Sequence, residues 1–429
     1  MSSNADSNSA RRGLGWLMAG EAANSVFCQL TVFGSVFLLF LDAIGLDKDR
    51  IGYLLSLFPF CGLLAVFVAP WAARLGLRRT YLAFWFSRTF VIALLILTPS
   101  VLGRFGLNLT FVYVAVILLV FAICRSIGET AWLPWMQEAV PNSIRGRFSA
   151  LNVTVSTITG ALAVWASGYV LDQFGGLGRF AWLIGAGVAF GFTSVLLYAG
   201  IPGGAPVRLE PAEKAHLRDM IHALQDRSFL RYLAGVGLML FGTNALSSFF
   251  PLFMKEQLGL SQGNVVRVQT AAMAGGLLSF YPWGWAADRF GGKPVVLASL
   301  GCSALFPIVW LMAPRGGATA LYFAAGLSSV VTLASTGAGL GASRLLYVSV
   351  VPPRRRTQYM ALYYAGMGLI GGCAPIAAGW ILNCSKAVSG DALWFRFDSY
   401  TPLFILSIAF STAAVMTFRR LRVDAAASQ

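Results

Sequence analysis

The sequence predicts an all-α, polytopic membrane protein with twelve transmembrane helices in two pseudo-symmetric six-helix bundles. Three observations predict it. Of 429 residues, 57% are apolar and only 11% charged, whereas ordinary soluble domains carry about 25% charged residues. The run from Gly13 to Leu41 and many after it exceed the roughly 20 apolar residues that cross a hydrocarbon core, and in lipid such a run satisfies its backbone only as a helix. Finally, a basic turn occurs twice, as Ala73-Arg-Leu-Gly-Leu-Arg-Arg79 and, 215 positions on, as Asp288-Arg-Phe-Gly-Gly-Lys-Pro294. Each copy closes the second apolar span of its half, so the chain is built twice.

In order, span one covers 14 to 41 behind Arg11 and Arg12, which read as a positive flank because no small-residue cleavage site follows. Spans two (51 to 73) and three (80 to 100) flank the first basic turn. Spans four (109 to 139) and five (147 to 172) meet at Val140-Pro-Asn-Ser-Ile-Arg145, followed by Phe148-Ser-Ala-Leu151. Span six (180 to 200) ends the first half at Pro202, Gly203, Gly204, Pro206 and Pro211. Spans seven (231 to 257) and eight (263 to 287) precede the second basic turn, and nine (294 to 313) follows it. Spans ten (318 to 350) and eleven (358 to 384) meet at Val351-Pro-Pro-Arg-Arg-Arg356 and Tyr359-Met-Ala-Leu362, which repeat the earlier turn's proline, arginine, aromatic, alanine and leucine at a constant offset. Span twelve runs from 400 to 418. Gly160 and Gly168 in span five, and Gly366, Gly368, Gly371, Gly372 and Gly379 in span eleven, allow close helix approach.

Outside the spans, residues 1 to 12 are Ser, Asn and Ala rich and are expected as a disordered tail. The divisions are then a bundle over 13 to 200, a linker over 201 to 230, a second bundle over 231 to 422 and a tail over 423 to 429. In the linker, Leu217, Ile221 and Leu224 recur at helical spacing beside Lys214, Arg218 and Arg227, the pattern of a surface-lying amphipathic helix. His216 and His222 on it read as solvated.

A formal charge of +15 suggests nucleic acid in a soluble chain, but here the basic residues alternate with the loops. Arg11, Arg12, Arg74, Arg78, Arg79, Arg145, Arg147, Arg208 to Arg231, Arg289, Lys293, Arg354 to Arg356, Arg419, Arg420 and Arg422 share one side. The other side holds only Lys48, Arg50, Arg104, Arg179, Lys255, Arg315, Lys386 and Arg396. The positive-inside rule therefore places both termini and the linker in the cytoplasm, with a bacterial inner membrane as the expected location and no nucleic-acid partner. Six cysteines without metal-like spacing read as reduced packing thiols. With no phosphate-binding loop, catalytic triad or metal motif, an enzyme or ATP-driven pump is not expected, and no cofactor is.

At these turns the chain resembles the major facilitator superfamily from Arg11 to Arg422. That family's signature between its second and third spans reads G-x8-G-x3-D-[RK]-x-G-x-[RK]-[RK]. Gly275, Gly284, Asp288, Arg289, Gly291 and Lys293 satisfy every place but the last, where Pro294 stands. The first-half copy keeps Arg74, Gly76, Arg78 and Arg79 but has Ala73 for the acid. The resemblance implies that Asp288 caps the start of span five near Gly146 to Ser149 as a cytoplasmic latch, with Arg145 and Arg356 in the companion turns. It also implies a carrier whose spans one and four line a central cavity.

Charges inside the spans are few, and each needs a partner or a watery cavity, because one at the membrane centre costs at least about 2.5 kcal/mol. Glu21 on span one and Arg125 with Glu129 on span four, the latter pair four apart on one helical face, form the favoured cluster. An acid facing an arginine can exchange its proton when cargo or helix movement alters the contact, although a permanent Glu-Arg bridge that fixes packing is the plain alternative. Arg88 on span three is expected in a structural pair or at the inner interface. Asn24 and Asn244 occupy comparable places on spans one and seven and offer amides to a solute, Arg344 on span ten offers an anion contact, and Trp132 is a candidate cavity wall. The expected protein is a monomeric secondary active transporter for a small, polar or anionic organic solute, coupled to protons. The alternatives are a proton-independent facilitator and a transporter-like scaffold or assembly factor without solute coupling.

Overall fold

The computed structural model describes residues 2–64, 68, 74–205, 224–351, 356–387, 390–392 and 395–421. The expected span order is present. Span one comprises helices Ser2–Thr31 and Ser35–Ala43, and span two is Lys48–Gly62 within the described residues. Span three is Leu77–Ala93, continued by a 3-10 turn, Leu94–Leu97. The helix Thr98–Ala139 carries a reversal at Gly106 (φ 74°, ψ 179°), beyond which it is span four. Spans five and six are Arg145–Gln173 and Gly178–Ala199.

In the second half, span seven comprises Arg227–Ser247 and Phe250–Glu256, span eight is Gln262–Phe290, and span nine is Gly292–Leu311. Span ten, Gly317–Arg344, widens into a π-helical turn over Leu345–Val350, and span eleven is Arg356–Cys384. A short antiparallel pair, Gly390–Ala392 with Phe395–Phe397, precedes span twelve, Thr401–Arg420. Nine described stretches are long and apolar enough to cross a membrane, and the one over Leu77–Ala139 contains both spans three and four.

Capping chemistry sets several ends. The Asp226 carboxylate accepts from the amides of Ser228 (2.9 Å) and Phe229 (3.2 Å), and the Ser261 hydroxyl from that of Asn264 (3.2 Å), so orphan donors of spans seven and eight are satisfied.

The chain forms two compact units, Met1–Leu46 with Cys61–Glu210, and Asp47–Phe60 with Pro211–Gln429. In the first, span one packs on spans five and six, and span three on four and six. In the second, span seven packs on eleven and twelve, and nine on ten and twelve. Each pairing repeats six spans later, which is the structural form of the internal repeat. The first core gathers Leu17, Tyr81, Trp85, Trp135 and Tyr198, and the second Phe229, Tyr232, Val296, Leu346 and Phe418.

One expectation is corrected here. Residues 2–12 continue the helix of span one instead of forming a disordered tail; once a long helix is nucleated, each added residue gains a hydrogen bond, so weak formers are carried along. Residues 47–60 group with the second compact unit. The amphipathic helix expected after Pro211, with His216 and His222, lies outside the described residues apart from its end.

Candidate functional site

Spans one and seven are both broken, and at the same place in each half. In span one the Val32 and Phe33 amides both turn back to the Cys28 carbonyl (3.3 and 3.0 Å), and the helix restarts at Ser35. Gly34 permits the break, since a Cβ there would lie 2.3 Å from the Gln29 carbonyl oxygen. In span seven the helix stops at Ser247 and restarts at Phe250, with the Ser248 amide and hydroxyl both on the Asn244 carbonyl (3.0 and 2.7 Å). Phe33 and Ser248 are 215 positions apart, the offset of the basic turns. The two breaks recur at corresponding positions of the two repeats, as the duplication of the chain requires.

The break in span one faces a charged pair. Arg125 donates to Glu129 through Nε and Nη2, both 2.8 Å from Oε1, and its guanidinium lies 4.6 Å from the Phe33 ring centre. The side chains of Arg125 and Glu129 are 31% and 47% exposed. Phe33 is exposed as well.

The third member of the expected cluster sits elsewhere. Glu21 accepts a 2.8 Å hydrogen bond from the Tyr198 hydroxyl and has no direct bond to Arg125 or Glu129. Asn24, one turn on, has its side-chain oxygen taken by Arg88. Arg88 is buried, its guanidinium 3.4 Å from the Trp85 ring centre and 5.0 Å from that of Phe27, an aromatic cage that replaces part of its lost hydration. This is the structural pair expected of Arg88. Trp132 stacks on Tyr81 (4.7 Å) and meets Trp135 and Tyr198 edge-on, so it is a packing residue of the first core.

In the second unit, Asn244 stands at the break through its backbone carbonyl. Arg344 pairs with the Asp288 carboxylate, joining spans ten and eight. Arg344, expected as an anion contact, is paired within its own unit, as Arg125 is with Glu129.

The duplicated basic turn has a concrete task in each unit. Arg78 donates to the Ala199 carbonyl at the end of span six, and its amide bonds the Gly204 carbonyl (3.2 Å). Lys293, 215 positions later, donates to the carbonyls of Arg419 (3.1 Å) and Leu421 (2.7 Å) at the end of span twelve. A cation on the last carbonyls satisfies orphan acceptors and meets the negative end of the helix dipole. Gly76 and Gly291 start the following helices with φ of 98° and 85°, which only glycine adopts freely. Gly275 lets span eight touch span ten, since a Cβ would lie 2.2 Å from the Ser329 carbonyl oxygen, whereas Gly284 faces open space.

The other positions of the turns are peripheral to the cluster. Arg289 lies over Trp285 and Phe290 (5.5 and 5.7 Å), Arg74 and Arg79 are exposed, and the side chain of Arg356 lies outside the described residues. Arg145 donates to the Gln137 (2.7 Å) and Val140 (3.0 Å) carbonyls, capping span four as Arg78 caps span six.

Phe33, Tyr198 and Tyr81 escaped the sequence reading. Gly34 inside an apolar span, and Ser247 and Ser248 at the matching offset, were the available signals for the breaks.

The sequence profile described as Major Facilitator Superfamily matches residues 22–268 and 234–428. Solved structures with the same fold include a mutant form of the nucleoside transporter NupG (TM-score 0.73, 13% identity, 96% of this chain and 99% of that one). A bacterial homologue of the iron transporter ferroportin in its inward-facing state (0.72, 11%, 96% and 98%) and a D-xylose-proton symporter (0.69, 15%, 99% and 99%) are others. No curated protein sequence matches. From the profile match over most of its length, the duplicated turns and the paired six-span packing, the chain belongs to the Major Facilitator Superfamily.

Proposed function

We propose that this protein is a secondary active transporter that carries a small polar or anionic organic solute by alternating access, coupled to protons. The observation that carries the proposal is the partly exposed Arg125–Glu129 pair beside the break in span one. A permanent packing bridge has no need of that exposure, and Arg88 shows how this chain buries an arginine it uses for packing.

The chemistry follows from the pair. Both bonding donors of Arg125 converge on one oxygen of Glu129, so an anionic or carbonyl group of the cargo competes for the guanidinium. Once displaced, the Glu129 carboxylate loses its counter-charge, and in a coupled cycle a proton takes the place of the guanidinium. Return of the proton restores the bridge and expels the cargo. The two steps link solute occupancy to protonation, which is what coupling requires. The basic side of the loops sets the orientation, both termini in the cytoplasm, and the protein works as a monomer.

The test is two-staged. A thermal-shift screen of purified protein against metabolite panels at two pH values identifies a ligand by mass action. In proteoliposomes, Glu129→Gln is then expected to abolish gradient-driven accumulation while leaving solute exchange. Loss of expression and stability without that split indicates a packing bridge, an unaffected pH response a proton-independent facilitator, and no uptake or exchange of any solute a scaffold.

A further inference from the structure

We propose that the buried Arg88, besides its packing, orients the side-chain amide of Asn24 so that only the NH2 meets the cargo, which makes position 24 a reader of hydrogen-bond acceptors. The proposal rests on the transporter reading above and names what its solute presents there: a carboxylate, carbonyl or other acceptor oxygen.

An asparagine amide is ambiguous by itself, because a half-turn about its last side-chain bond exchanges a carbonyl oxygen for an NH2 of similar size. Here the neighbour removes the ambiguity. Arg88 donates through Nη2 to Asn24 Oδ1, and a guanidinium carries donors only, so the NH2 cannot take the place of the oxygen. The Cys28 thiol, one turn further along span one, donates to the same oxygen at 4.0 Å. Both contacts keep Oδ1 on the Arg88 side of the amide.

Arg88 is itself held in place. Its guanidinium is enclosed by the Trp85, Phe27 and Phe121 rings, the last with its centre 6.0 Å away. Its Nε is sealed without an acceptor, so the buried cation relies on the Asn24 oxygen. Turning the amide over would remove that acceptor and set an NH2 against the guanidinium, which costs far more than an ordinary rotamer change.

The NH2 is the arm left over. No group among the described residues accepts from it, and it is not one of the sealed polar atoms, so it is reached from outside the Arg88 pocket. Asn24 itself is half-buried. Packing ties this amide to the break in span one, since the Phe121 ring beside Arg88 lies 6.2 Å from that of Phe33, on which Arg125 sits. Donors left unmatched within a membrane span are costly, and an acceptor oxygen of the solute matches them.

Thermal shifts of the full chain with two matched probe sets test the proposal: monocarboxylates, and the primary alkylammonium ions of the same carbon skeletons. The wild type is expected to be stabilised by carboxylates in preference to ammonium ions. Asn24→Asp leaves Arg88 an oxygen and turns the free arm from donor to acceptor, so carboxylate affinity is expected to fall by about tenfold while ammonium ions gain. Arg88→Met keeps apolar bulk among the rings but frees the amide to turn over, so the preference for carboxylates is expected to drop by about fivefold. Arg88→Lys, which restores a donor, recovers part of it. A lower melting temperature with an unchanged preference marks Arg88 as a packing residue alone and overturns the proposal. So does a wild type that prefers ammonium ions or binds neither set, or an Asn24→Asp variant whose preference is unchanged. Asn24→Asp decides the matter if both Arg88 variants misfold. If a carboxylate that stabilises the wild type is not exchanged in proteoliposomes, the transporter reading fails while the binding preference still judges the amide.

Discussion

Removing the ammonium of Lys293 is expected to loosen the end of span twelve by an amount that can be worked from its contacts. The group makes two charge-assisted hydrogen bonds, to the Arg419 and Leu421 carbonyls at 3.1 and 2.7 Å. Bonds to charged groups contribute about 1.5–3 kcal/mol each where the partner would otherwise be unsatisfied. Lys293 is only part-buried, however, so water recovers much of that. Adding a dipole contribution of about 0.3–1 kcal/mol, Lys293→Met should cost about 2 kcal/mol while keeping the apolar stem. Arg78→Met, on the mirrored clamp at Ala199, should cost a similar amount. Lys293→Arg should cost under about 1 kcal/mol because it keeps the charge. Unfolding in mixed micelles, followed by tryptophan fluorescence, measures all three. A loss below about 0.5 kcal/mol for both methionine variants would refute the reasoning and leave the basic turns as topological charges only.

Two further perturbations separate contacts that look alike in sequence. Gly275→Ala is expected to destabilise by about 1–3 kcal/mol through overpacking against the Ser329 carbonyl, while Gly284→Ala, in open space, should be near neutral; thermal melts of equal size for the pair would contradict this. In the turn before span twelve, burial pushes the Asp398 carboxyl above its ordinary value of 3.8 despite the Tyr400 amide, Arg315 and Thr401 beside it. A carboxyl raised in the folded state favours folding below its unfolded value, and that advantage is lost as pH rises through the folded value. Asp398→Asn should therefore flatten the melting-temperature profile just above pH 3.8, and an unchanged profile counts against the burial argument.

Much of the architecture is legible in sequence because lipid imposes it. Span length, basic loops and the 215-position repeat follow from the hydrocarbon core and from duplication, and Gly76 and Gly291 mark their turns because only glycine adopts those angles freely. Partners are less legible. Arg125 and Glu129 share a helix face, so their bridge follows from spacing, but Tyr198 reaches Glu21 from 177 positions away and Asp288 reaches Arg344 from 56. No local pattern encodes those distances. The seating of Lys48 on Gly379 and of Phe60 on Gly372 is hidden for the same reason. Span eleven's glycines read as surfaces for close approach, and the structure supplies the helix they receive.

The account's central claim, that cargo is held beside the break in span one and is presented to each side of the membrane in turn, is tested most directly at Phe33. In a background without native cysteines, Phe33→Cys in oriented vesicles is treated with a membrane-impermeant maleimide from either side. The account predicts labelling from both sides, with the balance shifted by the pH gradient and both rates slowed by the solute found in the thermal screen. Labelling confined to one side under every gradient, or rates indifferent to that solute, would contradict it.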